Sequence, residues 1–249
     1  MKKLEGRVAL ITGGSRGLGR GIALAVAEEG AKVAFNYRQA EDAAQEVVQA
    51  VEERGSEALA QKSDVTVAAE VAAMVDATLK RFGRIDLLVN NAGIASPRAF
   101  SEMSIEEWDE VLAVHLRGTF LFCHHAVPIM LKQGKGNIIN MVGSFGIHPE
   151  ANWTHLSTAK AGMIAFTQAL ARELGPEGVR VNAVCPAMTK TEMIDHFDPN
   201  LLEGLRQRYP LRRLGEVNDV TSTILFLASD DSDYFTGQTL APCGGDVMV

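Results

Sequence analysis

Short apolar runs alternate along the chain with segments of helical spacing. Residues 8–11 are apolar throughout and lead into a glycine-rich turn. Residues 17–29 then carry Ile22, Ala23, Val26 and Ala27 on one side, the spacing of an amphipathic helix. The alternation continues with a strand at 32–35, a helix at 41–54, a weak strand at 58–61 and a helix at 67–82. In that last helix Val71, Val75 and Leu79 recur every four residues. A strand at 87–89 precedes a long helix at 105–132, in which Pro128 predicts a kink. A strand at 137–141, a long helix at 154–174, a strand at 179–184, a helix at 217–228 and a last strand at 238–240 complete the pattern. Residues 186–210 show no clear period and read as an irregular lid. Strand–helix alternation throughout predicts an α/β fold: a seven-stranded parallel sheet, doubly wound, with helices on both faces. Nothing marks a linker, so residues 1–249 are expected to form one domain.

Composition narrows the class. The chain has 249 residues, 47% hydrophobic and 22% charged, as in an ordinary globular protein. Lys and Arg number 24 against 31 Asp and Glu, a net charge of -7, and no long basic run exists. That disfavours nucleic acid as a partner. Cys123, Cys185 and Cys243 are odd in number, far apart and without metal-ligand spacing. They read as buried thiols of a reducing compartment, which with no secretion signal gives a cytoplasmic expectation. No apolar stretch is long enough to cross a membrane.

The first turn reads Thr12-Gly13-Gly14-Ser15-Arg16-Gly17-Leu18-Gly19. It follows the first strand and opens the first helix, where glycines let the backbone approach a pyrophosphate and the helix N-terminus offers unpaired N–H groups. Asp64-Val65 after the third strand and Asn91-Ala92-Gly93 after the fourth should converge on the same crevice. Each alone also reads as a turn former. An acid at the end of the second strand would bind the adenosine ribose; the sequence there is Asn36-Tyr37-Arg38. Arg38 and Arg16 therefore favour NADP(H) over NAD(H) as cofactor.

Together these motifs resemble the short-chain dehydrogenase/reductase family, with its Rossmann-type fold, and particularly its 3-oxoacyl-carrier-protein reductases. The resemblance covers nearly the whole chain. Thr12 to Gly19 fits TGxxxGxG, Asn90 to Gly93 fits NNAG, and Ser157-Thr158-Ala159-Lys160-Ala161-Gly162 is similar to the segment around the family's catalytic lysine. The stretches 181–186 and 235–238 match later family segments. The resemblance implies cofactor contacts from Gly13, Ser15, Arg16, Gly17, Leu18, Gly19, Arg38, Asp64, Val65, Asn91, Ala92, Gly93, Lys160, Pro186 and Thr191. It also implies a homotetramer or homodimer packed through the helices at 105–132 and 154–174.

The family's chemistry uses a Tyr, a Lys four residues later, a Ser and an Asn. By the same alignment these fall on Leu156, Lys160, Gly143 and His115, so Lys160 alone is retained. The chain's three tyrosines, Tyr37, Tyr209 and Tyr234, all lie far from Lys160 in sequence. Loss of a positioned acid or base costs about 10²–10⁴-fold in rate. Another group must then act, or the reaction has changed. His155, His115 and Lys160 are the catalytic candidates, with Tyr209 in the lid a further one. A histidine side chain suits proton transfer in general, but one residue along a helix turns the side chain of His155 by roughly 100° from the Tyr position. His148, His155 and His115 lack a carboxylate or Cys to complete a ligand set, so no metal is expected. Three readings stand: an NADP(H)-dependent oxidoreductase with a non-standard proton donor, a catalytically inactive NADP(H)-binding homologue with a regulatory or scaffolding role, and a lyase or isomerase reusing the crevice. Ile94, Ser96, Phe145, Trp153 and Met188 are expected to line the pocket, which suits a small-molecule substrate with an apolar part.

Overall fold

A computed structural model describes residues 2–195 and 197–248. Met1, His196 and Val249 lie outside the described residues, and with them one position of the 186–210 segment and both ends of the expected domain. Seven parallel strands form one sheet in the order β3-β2-β1-β4-β5-β6-β7. They are β1 (Val8–Ile11), β2 (Lys32–Tyr37), β3 (Ala58–Lys62), β4 (Leu87–Asn90), β5 (Gly136–Met141), β6 (Val179–Val184) and β7 (Thr239–Leu240). Between them run α1 (Gly17–Glu28), α2 (Glu41–Glu52), α3 (Ala68–Phe82), α4 (Ile105–Leu112), α5 (Gly118–Gln133), α6 (Thr154–Leu174), α7 (Pro199–Arg208) and α8 (Val217–Ala228).

Alternating strand residues feed two cores. Ala9, Ile11, Val33 and Phe35 point to one face and pack with α1, α2 and α8; Leu10, Ala34, Leu88 and Ile138 point to the other and pack with α3, α5 and α6. A strand buried on both faces has no polar side, which is why these runs read as continuously apolar. No helix among the described residues is long and apolar enough to cross a membrane.

Two expectations are corrected. The 186–210 segment is not wholly irregular: α7 starts on Pro199, with Asp198 capping it by accepting from Asn200 N–H at 2.8 Å. Only Leu205 of this helix is buried, so it shows little apolar periodicity. The helix expected at 105–132 is also interrupted before Pro128, which lies inside α5. Its departure from α geometry is a π-helical turn at Ala113–Arg117 that carries His115.

The order of the sheet reverses between β1 and β4, and polar side chains fix the strand ends there. Thr12 Oγ1 accepts from the N–H groups of Asn91 (2.9 Å) and Ala92 (2.8 Å). Asn36, 2% exposed, accepts from Gly13 N–H at 3.0 Å and donates to Ser63 O at 2.7 Å. One side chain thus joins the ends of β1, β2 and β3. Asn36→Ala leaves the Ser63 carbonyl and the Gly13 N–H without these partners, and is expected to lower stability by about 1–3 kcal/mol. A urea unfolding midpoint within error of the parent would refute that role.

Candidate functional site

The crevice opens where β1 and β4 end. A Cβ on Gly14 would lie 2.5 Å from Phe35 Cβ, and one on Gly19 would overlap the Gly13 carbonyl. Gly13 has φ +66, and a Cβ there would meet Ala92 at 3.1 Å. The turn is therefore bare backbone at close approach, and it runs into the N-terminus of α1, whose Ncap Arg16 uses no side-chain cap. Asn91 donates to the carbonyls of Thr12 (2.9 Å) and Gly13 (3.3 Å), which sets β4 against the turn. Thr191 lies across from Gly17, with Cγ2 3.6 Å from a Cβ built there. Ser15 is buried, and Leu18 packs on the core. Arg16 is exposed, and Arg38 is half-exposed, 3.9 Å from Glu110. Asp64 accepts from the backbone and hydroxyl of Thr66 in a tight turn, and Val65 is buried against Gly118. Pro186 O accepts from Ser144 N–H at 3.1 Å. Of the cofactor positions expected from sequence, Gly17, Leu18 and Gly19 lie in the first turn of α1 and Lys160 lies on α6, while the others lie on turns and loops that follow strands.

Lys160 lies on α6, partly buried, and its Nζ donates to Met141 O at 2.6 Å. Burial lowers its pKa to about 7, against a small opposing effect of Cys185. Among the described residues it forms no ion pair. His115, 3% exposed, sets Nε2 at 2.8 Å from Ile94 O and 3.2 Å from Ile94 N, while its Nδ1 has no partner. Burial, and then the charge of Lys160, hold His115 well below the usual histidine range. Its ring also stands where a Cβ on Gly93 would go, 2.5 Å from Cε1.

His155, in the first turn of α6, is buried with Nδ1 unpartnered. Its electrostatic neighbours are His115 and Glu107 of α4, so it addresses the α4–α6 seam. Leu156 is 6% exposed and packs with Trp153, Phe197 and Tyr209. Ile94, Phe145 and Met188 join that cluster, with the Phe145 and Trp153 rings stacked 5.0 Å apart; Ser96 is exposed and outside it. Gly143 has φ +92 and ψ 155, backbone that only glycine adopts without strain. Tyr209, the candidate from the lid, is packed into the apolar cluster. It is 2% exposed, its hydroxyl accepts from Met188 N–H at 3.2 Å, and burial pushes its pKa up to about 12.

Sequence reasoning missed Thr12 and Asn36 as the polar fasteners of the site. Their signal is a hydrogen-bonding side chain at the end of a buried apolar strand. It also missed Arg208, which pairs with Glu150 and, at 3.0 Å, with the buried carboxylate of Asp246. This clasp ties the end of α7 to the loop before α6 and to the C-terminal segment.

The family model for enoyl-(acyl carrier protein) reductase matches residues 13–246. The chain is 42% identical over 243 residues to a 3-oxoacyl-[acyl-carrier-protein] reductase of Staphylococcus aureus, covering 96% of this chain and 98% of that one. It is also 42% identical over 249 residues, with full coverage of both chains, to the 3-oxoacyl-[acyl-carrier-protein] reductase of Synechocystis. A short-chain type dehydrogenase/reductase from Mycobacterium marinum superposes with a TM-score of 0.93 at 36% identity, covering 99% of this chain and 98% of that one.

The state of Lys160 can be read from stability. Its folded pKa, about 7, lies below the ordinary 10.5, so between those values the unfolded chain binds more protons and stability rises with pH. Lys160→Met removes that dependence. The difference in urea midpoint, variant minus parent, is expected to fall as pH rises from 7 to 10. A flat difference would show an amine that titrates normally.

Proposed function

The chain belongs to the short-chain dehydrogenase/reductase family, and we propose on that premise that it is an NADP(H)-dependent oxidoreductase acting on a carbonyl or imine group, with Lys160 as its proton donor. The observation that carries the reading is Lys160 itself: a partly buried amine with no carboxylate partner among the described residues, one helical turn after Leu156. Such an amine exchanges a proton near neutrality, as a general acid must.

The turn fits a dinucleotide, since Gly13, Gly14 and Gly19 sit where a Cβ would collide with Ala92, Phe35 and the Gly13 carbonyl, so the turn stays tight and leads its backbone into the start of α1. In this reading the N–H groups at the start of α1 hold the pyrophosphate, and Arg16 and Arg38 hold a 2′-phosphate. Asp64 and Val65 flank the adenine, and Asn91 to Gly93, Pro186 and Thr191 border the nicotinamide. When bound, the nicotinamide supplies or accepts the hydride. Lys160 holds the proton for the developing alkoxide, His115 keeps the adjoining wall dry and neutral, and the Trp153–Phe145 cluster excludes water. The names of the relatives make 3-oxoacyl thioesters the first carbonyl class to test. A groove of about 630 Å³ along Leu112, Leu116, Phe120 and Phe166 supports a second copy packing on α4–α6.

Fluorescence titration is expected to give tighter binding of NADPH than of NADH. A hydrogen bond to a charged group contributes about 1.5–3 kcal/mol, so Arg38→Glu should weaken NADPH by about tenfold or more and spare NADH. Equal loss of both would remove the phosphate assignment. Restoring a phenol beside Lys160 with Leu156→Tyr is expected to raise kcat on a 3-oxoacyl thioester by about 10²-fold, with Tm checked because overpacking costs about 1–3 kcal/mol. NADPH binding with no turnover in either protein would favour the inactive-homologue reading. A reaction proceeding without transfer of label from cofactor to product would favour a lyase or isomerase.

A further inference from the structure

Four buried side chains form a hydrogen-bonded ladder through the core on the α5–α6 face of the sheet. Asn90, at the end of β4, donates from Nδ2 to Asn140 Oδ1 on β5 at 2.8 Å and approaches Cys123 Sγ on α5 at 3.4 Å. Asn140 donates from Nδ2 to Thr167 Oγ1 on α6 at 2.9 Å. Thr167 gives its one hydroxyl hydrogen to Met163 O at 2.8 Å, so toward Asn140 it can only accept. That fixes the sense of the whole ladder. All four side chains belong to residues 3% exposed or less. Packing alone does not require them, since apolar side chains of the same shape would fill the space. The hydrogen bonds add what apolar contact lacks, a single register between the layers.

Both ends of the ladder lead to the site. Thr167 follows Lys160 by two helical turns, so the two share a face of α6. Lys160 Nζ donates to Met141 O at 2.6 Å, and Met141 is the residue after Asn140. β5 therefore holds α6 at two neighbouring points, through the oxygen of Thr167 and the amine of Lys160. Gly146 closes on the same helix from the loop after β5, where a Cβ would lie 2.9 Å from Lys160 C. Sliding α6 by one residue's rise, about 1.5 Å, would strain or break the contact of Nζ with Met141 O. At the far end, Asn90 precedes Asn91, which donates to the carbonyls of Thr12 and Gly13. We propose that Asn140 and Thr167 are positioning residues: they set the height of α6 along β5, and so hold the Lys160 amine at Met141 O, at a fixed offset from the glycine turn. The proposal rests on the reading of Lys160 as proton donor and adds two residues that, being fully buried, act only through it.

The test follows the lysine Cε groups of the whole protein by isotope-edited NMR across a pH series, with Lys160→Met assigning the resonance. Thr167→Val keeps the shape and removes the oxygen. In it the Lys160 titration is expected to move up toward the ordinary 10.5, because an amine no longer held in place gains water. Thr167→Ser keeps the oxygen and should titrate as the parent does. The groups that act on Lys160, His115 and Cys185, are the same in parent and variants. A rung that only stabilised the core would lower the urea midpoint and leave the titration where it was. An unmoved titration in folded Thr167→Val would overturn the proposal. If that protein does not fold, Thr167→Cys, whose sulfur accepts weakly, takes its place. On a 3-oxoacyl thioester, kcat of Thr167→Val should fall about tenfold or more with NADPH affinity unchanged; an unchanged kcat would also overturn it. A parent without turnover would count against the reductase reading alone, since the NMR titration needs neither substrate nor cofactor.

Discussion

The site depends on where β1 and β4 part. They are hydrogen-bonded neighbours in the sheet, yet their crossover helices leave to opposite faces, so the chain cannot fill the space beyond their C-terminal ends. A parting of strands exposes backbone ends that need partners. Thr12 supplies them to Asn91 and Ala92, and Asn36 supplies them to Gly13 and Ser63. The bare glycine turn keeps its shape because these polar side chains hold its flanks. The backbone left open at the start of α1 is therefore aimed and rigid, as an anion site requires.

The second half of the site is governed by exclusion of water. α6 presents Leu156 and Lys160 from the same face, so an apolar side chain and an amine share one wall. The cluster of Trp153, Phe145, Phe197 and Tyr209 packs around Leu156, and the buried ring of His115 packs against Gly93 and Ile94. The same desolvation that brings Lys160 near neutrality sends Cys185 and Tyr209 the other way. Acids and bases move apart for one reason, the cost of charge in a dry interior. The reactivity assigned to Lys160 is thus a property of its surroundings more than of the residue.

Much of this was legible in the sequence, for physical reasons that also mark the limits. Strands buried on both faces are rich in apolar residues, so β1, β2, β5 and β6 fall within one or two residues of the sequence reading, although Asn36, Asn137, Asn140, Arg180 and Asn182 interrupt three of them. The turn from Thr12 to Gly19 announced itself because close approach tolerates only glycine. α7 was not seen because it buries a single side chain and carries no apolar stripe, although Asp198 and Pro199 were present as a start signal. The π-helical turn left no trace in the pattern, since one extra residue in a turn does not change which residues are apolar. The register of polar fasteners such as Asn36 requires knowing which strands are neighbours, and that is set by the sheet. The direction of His155 follows from where α6 begins, and that start at Thr154 brings its ring to the α4 seam.

Gly143 has a consequence for how this loop can change. Its backbone lies in a region that a side-chain-bearing residue enters only under strain. The space around it is nevertheless open, with Pro186 O the nearest atom at 3.9 Å. The obstacle to a hydroxyl at this position is torsional rather than steric. A single substitution there meets the cost before it gains any new hydrogen bond, so neighbouring residues must first re-thread the loop. The torsional cost at position 143 thus falls on any side chain, whatever its size.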